Sequence, residues 1–287
     1  MEKPRIAFLG LGIMGSGMAN RLLAAGFPLA VHNRNPEKSA PYAAAGAVVA
    51  TTSRMAAHDA DIIISMVADD SAARAVWLGE TGALAGAKPG AICIESSTVT
   101  PGWVRELAAA AAEHQCELLD APVTGSRVQA ASGELNFLVG GSATTLEKAR
   151  PVLAAMGKTA TLLGPAGSGA LLKLINNFVC GVQVASLAEA LAMIERSGLD
   201  RDAGLAILAN GAPGSPLFKG VSARMIAPDY TPNFLLRLMA KDLTYAIQEA
   251  PFDLLTATAA LAAFQRGIDT GHGEKDIAAV IEPLREP

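Results

Sequence analysis

Short apolar runs alternate with alanine-rich helical stretches along the first half of the chain, and few folds accommodate that order. The strand candidates are Arg5–Leu9, Leu29–His32, Asp61–Met66, Ala91–Glu95, Glu117–Ala121 and Leu135–Val139, with helical patterns such as Met14–Ala25 and Trp103–His114 between them. Strands that alternate with helices pair in parallel through crossover connections, so the pattern predicts βαβ units around a largely parallel sheet. Near Thr161 the style changes. From Ala170 onward the periodicity is helical only, over Leu171–Ser197, Ala203–Ala209, Phe234–Ala250 and Leu254–Gly267. The run Gly164-Pro165-Ala166-Gly167-Ser168-Gly169 marks the seam. The expectation is an α/β domain over residues 1–164 and an all-α domain over 165–287, joined by a long linking helix within 165–197. That helix is apolar on nearly every side, which predicts that it is buried between domains or between subunits.

Charge and cysteine usage narrow the function classes. The net charge is −4 with no basic stripe, which argues against a nucleic-acid partner. Apolar runs are short and interrupted, so no membrane span is expected. Cys93, Cys116 and Cys180 lie far apart without metal-ligand spacing, and His32, His58, His114 and His272 form no cluster with carboxylates or thiols. No metal is expected, and reduced thiols suit a cytoplasmic protein. The chain runs almost directly from Met1 into Ile6-Ala7-Phe8-Leu9, leaving no stretch that reads as a targeting segment.

The first strand candidate leads into Gly10-Leu11-Gly12-Ile13-Met14-Gly15, a G-x-G-x-x-G pattern. Glycines are common in turns, and the same pattern alone fits an ordinary strand-to-helix turn. The apolar strand before it and the helix after it favour a dinucleotide loop. There the first glycine makes the tight turn, the second admits the pyrophosphate, and the third lets helix and sheet pack closely. The end of the second strand selects the cofactor. An NAD site usually has an acidic residue there, whereas this chain has Asn33-Arg34-Asn35. A guanidinium can pair with a 2′-phosphate, so NADPH is expected over NADH; the alternative is that Arg34 is a solvated surface charge. Met66-Val67-Ala68 and Glu95-Ser96-Ser97-Thr98 come after the third and fourth strands, where the crevice of such sheets lies. Thr98 and Ser97 suit a ribose or amide contact, or equally a helix cap ahead of Pro101.

Four segments in order resemble the β-hydroxyacid dehydrogenase family. They are the glycine loop with Met18-Ala19, then Asp120-Ala121-Pro122-Val123-Thr124-Gly125-Ser126, then Gly167-Ser168-Gly169 through Lys173 to Asn176-Asn177, then Lys241-Asp242-Leu243. The resemblance covers nearly the whole chain. It implies an N-terminal, doubly wound Rossmann domain, a long linking helix, and a helical C-terminal domain that helps build a homodimer or tetramer. Asn33-Arg34, Pro232-Asn233-Phe234, Asn210-Gly211-Ala212 and Ser215-Pro216 look most like the glyoxylate and succinic semialdehyde reductase branch. Departures from the pattern are Thr124 where the family usually has serine, Ser126 where many members have glycine, Leu235 where that branch often has proline, and Val128-Gln129. They bear on the substrate, not on the reaction class.

The resemblance implies NADPH-dependent reduction of a small carboxylated aldehyde, succinic semialdehyde or glyoxylate, to its hydroxy acid. Hydride delivery to a carbonyl carbon leaves negative charge on oxygen, and a cation able to release a proton suits that oxygen. Lys173, set among Leu171, Leu172, Leu174 and Ile175, takes this role by resemblance; by itself a lone helical lysine reads as a snorkelling surface residue. Asn177 lies one turn further, on the same face, where an amide can orient the ammonium or hold the substrate oxygen. Thr124, Gly125 and Ser126 suit a substrate carboxylate, or form a turn in which Gly125 serves backbone geometry. Arg127 either adds charge for the acid or faces solvent. The resemblance sets Lys241 over the cofactor, Asp242 as a tie for its helix, and Phe234 as a wall of the pocket. Rival readings are a 3-hydroxyisobutyrate or tartronate semialdehyde type dehydrogenase, an imine reductase, against which Lys173 counts, and an inactive dinucleotide-binding assembly protein.

Overall fold

The computed structural model describes residues 3–285. It divides into two compact units, one ending at Lys173 and one beginning at Leu174. The expected boundary at 164/165 lies just before the long helix, whose start is bonded to the sheet of the first unit through Asp120.

The first unit is built on a nine-stranded sheet. Its strands are β1 (Ile6–Leu9), β2 (Leu29–His32), β3 (Val48–Val49), β4 (Ile62–Ser65), β5 (Ile92–Glu95), β6 (Glu117–Asp120), β7 (Val123–Thr124), β8 (Leu135–Gly141) and β9 (Gly157–Gly164). The spatial order is β3-β2-β1-β4-β5-β6-β8-β7, with β9 paired to β8. Pairing is parallel from β3 through β6, antiparallel where β8 meets β6 and β7, and parallel again between β8 and β9. This is a doubly wound sheet with a mixed edge. The chain winds outward in both directions from β1 and β4, and the crevice of such sheets lies beyond their carboxyl ends.

Burial on both faces explains why these strands read as continuous apolar runs. Ile6 and Phe8 of β1, Ile62 and Ile64 of β4, and Ile92 and Ile94 of β5 enter one core with Met18, Leu22 and Phe137. The alternate residues Ala7, Leu9, Ile63 and Cys93 enter a second core with Trp77, Trp103 and Leu107. The flanking helices are α1 (Ile13–Ala24), α2 (Ala40–Ala44), α3 (Ser53–Ala57), α4 (Asp70–Trp77), α5 (Pro101–Glu113), α6 (Arg127–Ser132) and α7 (Ala143–Met156). Short polar side chains start several of them. Asp69 accepts from Ala72 N, Thr100 from Trp103 N, and Ser142 from Thr145 N.

Three strands have no counterpart in the sequence pattern. β3 and β7 are two residues long, too short to carry a period. β9 is largely exposed and lacks an apolar alternation.

The second unit is helical throughout its longer elements. α8 (Ser168–Ser197) starts in the first unit and runs on into the second, where α9 (Arg201–Asn210), α10 (Pro216–Ile226), α11 (Leu236–Glu249), α12 (Leu255–Asp269) and the short α13 (Glu282–Arg285) come after it. Its core gathers Val184, Leu187, Leu191, Phe218, Val221, Met239, Leu243 and Phe264. Each such fully buried side chain contributes about 1.5–3 kcal/mol. α10 has no counterpart in the periodicity, yet Ser215 caps it through Phe218 N and Pro216 opens it, a readable start signal. α11 starts later than expected: Asn233 N and Phe234 N donate to Asp276 in a bend, and Leu235, the residue before the helix, is extended.

All-round burial of α8 is not met within one chain. Leu174, Val184, Leu187 and Leu191 are buried, whereas Leu171, Ile175, Val179 and Met193 are exposed. By length and composition alone α8 is long and apolar enough to cross a membrane, which the expectation of short, interrupted apolar runs did not include. Its buried side chains join the helical core instead.

Candidate active site

The glycine loop divides its labour in a way the coordinates make explicit. Gly10 has φ +98°, a left-handed value, and a Cβ there would stand 2.4 Å from Met66 O. Gly15 packs so closely that a Cβ would lie 2.0 Å from Gly10 O. Gly12 differs: nothing lies within 4 Å of the place its Cβ would occupy. No side chain caps α1, whose first residues are Ile13 and Met14. A helix start with an open, uncapped approach suits a phosphate group, because its first N–H groups lack intrahelical acceptors. The loop therefore fits a dinucleotide pyrophosphate.

Asn33 and Asn35 both make hydrogen bonds within the protein. Asn33 Oδ1 accepts from Leu11 N at 2.8 Å and its Nδ2 donates to Asn35 O at 3.0 Å, which ties the loop to the end of β2. Asn35 caps a short turn by accepting from Glu37 N at 3.0 Å. Arg34 between them is exposed and makes no ion pair or hydrogen bond with the described residues.

Met66 and Val67, at the end of β4, line the loop from beneath, and Val67 N donates to Ser97 Oγ at 2.8 Å. Ser97 N in turn donates to Glu95 Oε1 at 2.9 Å, and Trp77 Nε1 donates to Glu95 Oε2 at 2.9 Å. Glu95 is fully buried; burial pushes its pKa up, against the opposing hydrogen bonds from Ser97, Ser65 and Trp77. This carboxylate, which the sequence marks only as the end of a strand, braces the ends of β4 and β5. Neither Ser97 nor Thr98 caps α5, since Thr100 does; Thr98 is half-buried beyond β5.

The Thr124–Ser126 loop begins at β7. Gly125 has φ +121°, so the turn requires glycine. Ser126 is the N-cap of α6, accepting from Val128 N at 3.4 Å, while its hydroxyl donates to Gln129 Oε1 at 2.6 Å. Its hydroxyl proton is thus engaged by Gln129 in the capping box. Thr124 is half-buried and Arg127 is exposed. At the end of β6, buried Asp120 accepts from Gly167 N at 2.8 Å and Ala170 N at 2.7 Å. These bonds fasten the start of α8, the helix on which half-buried Lys173 lies.

In the second unit, Asn177 is buried and its amide Nδ2 donates to Asp242 Oδ2 at 2.6 Å. Its Oδ1 accepts from Asn176 Nδ2 at 2.9 Å. Asp242 Oδ1 stands 3.0 Å from Lys241 Nζ, and that ammonium lies 5.1 Å from the Tyr245 ring centre. Asp242 therefore ties α11 to α8 and holds Lys241 at once. Phe234 is half-buried, packed on the helical core, and held by Asp276, which also pairs with Arg224. Among the described residues no group of three or more His, Cys, Asp or Glu side chains could hold a metal ion.

Comparison with known proteins places this geometry in a lineage. Residues 5–164 match the family described as the NAD binding domain of 6-phosphogluconate dehydrogenase. Residues 167–284 match the NAD-binding domain of NADP-dependent 3-hydroxyisobutyrate dehydrogenase. The NAD-dependent L-serine dehydrogenase of Pseudomonas aeruginosa is 37% identical over 99% of this chain and 98% of its own length. The chloroplastic glyoxylate/succinic semialdehyde reductase 2 of Arabidopsis thaliana is 33% identical over 98% of this chain and 79% of its own. The crystal structure of 3-hydroxyisobutyrate dehydrogenase from Salmonella typhimurium superimposes with a TM-score of 0.88 at 31% identity, covering 98% and 99% of the two chains.

Two outcomes are expected. Gly12→Ala will fold normally, within about 0.5 kcal/mol of wild type, because its backbone angles suit alanine and its Cβ meets nothing. It will nevertheless weaken dinucleotide binding by roughly tenfold or more, equivalent to about 1.4 kcal/mol. Gly15→Ala will lose about 1–3 kcal/mol of stability from overpacking. Urea titration and nucleotide fluorescence separate the two, and unchanged affinity in Gly12→Ala would refute the assigned role. The second outcome concerns Glu95. A carboxyl group with a raised folded-state pKa contributes stability that is complete below the unfolded value and is lost as pH rises through the folded value. Glu95→Gln cannot ionise, so its stability deficit against wild type will narrow as pH rises from about 4 to 7; a deficit that widens over that range would contradict the assignment.

Proposed function

Because the chain belongs to the β-hydroxyacid dehydrogenases, NAD(P)-dependent oxidoreductases acting on CH–OH groups, we propose that it reduces a small carboxylated aldehyde, succinic semialdehyde or glyoxylate, with NADPH. The observation that carries the reading is Lys173 on a helix whose start is bonded to the end of β6, the strand that leads into the Thr124–Ser126 loop. When bound, the reduced nicotinamide supplies a hydride to the carbonyl carbon. Lys173 meets the charge that develops on the carbonyl oxygen and gives it a proton. Thr124 and the backbone N–H groups about Gly125 receive the substrate carboxylate. Asn177, with its amide held by Asp242, lies one turn beyond Lys173 on the same helix, where it orients the ammonium or holds the substrate oxygen. The glycine loop with Ile13 and Met14 holds the pyrophosphate, and Met66, Val67 and Thr98 line the ribose and nicotinamide.

NADPH preference rests on Arg34. Exposed and without a partner among the described residues, its guanidinium is available to a 2′-phosphate, with no carboxylate in the positions beside it. The second reading is dehydrogenation of a small hydroxy acid such as L-serine or 3-hydroxyisobutyrate, favoured by the identity to the enzymes of those names. Both use the same lysine in opposite proton-transfer directions. Self-association into a dimer or tetramer is part of the proposal, supported by the exposed apolar stripe Leu171, Ile175 and Val179. The three free cysteines suit a cytoplasmic setting.

Lys173→Ala will lose about 10²–10⁴ of turnover and keep NADPH affinity. Lys173→Arg will not restore it, since a guanidinium does not readily release its proton. Near-wild-type rates in either variant would defeat the mechanism. Arg34→Ala will lower the ratio of kcat/KM for NADPH over NADH about tenfold or more, from the loss of a charge-assisted phosphate contact; an unmoved ratio removes the cofactor assignment. Rates with succinic semialdehyde, glyoxylate, 3-hydroxyisobutyrate and L-serine decide between the two readings. A higher kcat/KM for either hydroxy acid oxidised than for either aldehyde reduced selects the second.

A further inference from the structure

We infer that Asp120 is the positioning residue for Lys173: its buried carboxylate fixes the start of α8 against the end of β6 and so sets where the lysine amine stands beside the Thr124–Ser126 loop. The inference rests on the assignment of Lys173 as proton donor. Both carboxylate oxygens are used, one accepting from Gly167 N at 2.8 Å and the other from Ala170 N at 2.7 Å. Lys173 lies three residues beyond Ala170, on the adjoining part of the same helical face. α8 has no acidic residue in its own first turn, so the charge that satisfies its first N–H groups comes from a strand far earlier in the chain.

The surroundings are cut to fit this contact. A Cβ on Gly169 would stand 2.1 Å from Leu138 O and 2.9 Å from Asp120 Oδ2. A Cβ on Gly140 would stand 2.3 Å from Asp120 Oδ1 and 2.8 Å from Pro165 O. Gly167 adopts φ +96°, which turns the chain into the helix. Three segments thus close on one carboxylate without side chains of their own. A neutral serine or threonine suffices to cap a helix, and burying a charge is costly unless it is fully bonded. A fully buried aspartate here does more than cap, since two charge-assisted bonds to residues 167 and 170 fix both the height and the rotation of the helix. Lysine has a long, flexible stem, so the reach of its amine depends on where its Cα is held. A misplacement of about 1 Å is enough to cost about 10²-fold in rate.

A double-mutant cycle tests this on the full chain, with single-turnover rates per NADPH-binding site. Asp120→Asn keeps one acceptor and replaces the other by a donor facing an N–H. It will lower the rate about 10- to 100-fold while leaving the NADPH dissociation constant unchanged within a factor of about two. In a Lys173→Ala background the same substitution will change the residual rate by less than about twofold, because a lysine that is absent cannot be misplaced. A merely structural aspartate predicts the opposite, an equal loss in both backgrounds, and that result overturns the inference, as does an unimpaired Asp120→Asn enzyme. Gly169→Ala is the second probe should Asp120→Asn not fold: it keeps the carboxylate but displaces the helix start, and its rate loss must likewise vanish without Lys173. Lys173→Ala measured alone isolates the premise, since near-wild-type turnover there defeats the proton-donor assignment itself.

Discussion

The central strands of the sheet are covered on both faces, and this burial dictates where polar chemistry can sit. Ile6 and Phe8 point one way, Ala7 and Leu9 the other, and the same alternation runs through β4 and β5. A strand with two dry faces has no lateral room for polar groups. They can gather only where the strands end, and the doubly wound order places those ends around the divergence of β1 and β4. The glycine loop, Met66, Val67, Ser97 and Thr98 all lie at such ends. The location of the cofactor crevice is therefore a consequence of how the core is filled.

Buried carboxylates recur as the device that fixes those ends. Glu95 braces the loops after β4 and β5 through Ser97 N and Trp77 Nε1. Asp120 fastens the start of α8. Asp242 holds Asn177 and Lys241, and Asp276 holds Asn233, Phe234 and Arg224. Glu95, Asp120 and Asp276 answer donors that helix starts or irregular backbone leave unpaired, and Asp242 answers two side-chain donors. An ionised acceptor makes stronger bonds than a neutral one, and in a dry setting it tolerates little displacement. The four residues sit next to, rather than among, the groups assigned to ligands, which suits a scaffold that must hold geometry without competing for substrate.

Legibility tracks the range of the interaction. The strands with a full apolar period are visible in the sequence, and β3, β7 and β9 are not, because two residues or an exposed edge leave no pattern. The glycine loop is readable because its chemistry is contiguous. Asn33 and Asn35 look like ligand contacts in the sequence, and the fold uses them to pin Leu11 N and cap a turn. Ser126 looks like a substrate hydroxyl, although the S-x-x-Q spacing to Gln129 is a capping-box signal that local reasoning can find.

Taken alone, the amino-acid order determined the apolar strands of the sheet, the α/β-then-helical order, the dinucleotide loop and the lysine-bearing helix, because periodicity, capping and glycine placement act between near neighbours. Tertiary structure decided what the buried polar groups do. Asp120 finds its donors at Gly167 and Ala170, and Asp242 finds Asn177, across stretches of chain whose pairing no local pattern encodes. A buried charge takes whatever donors the folded backbone brings within bonding distance, and that set exists only once the chain has closed around it.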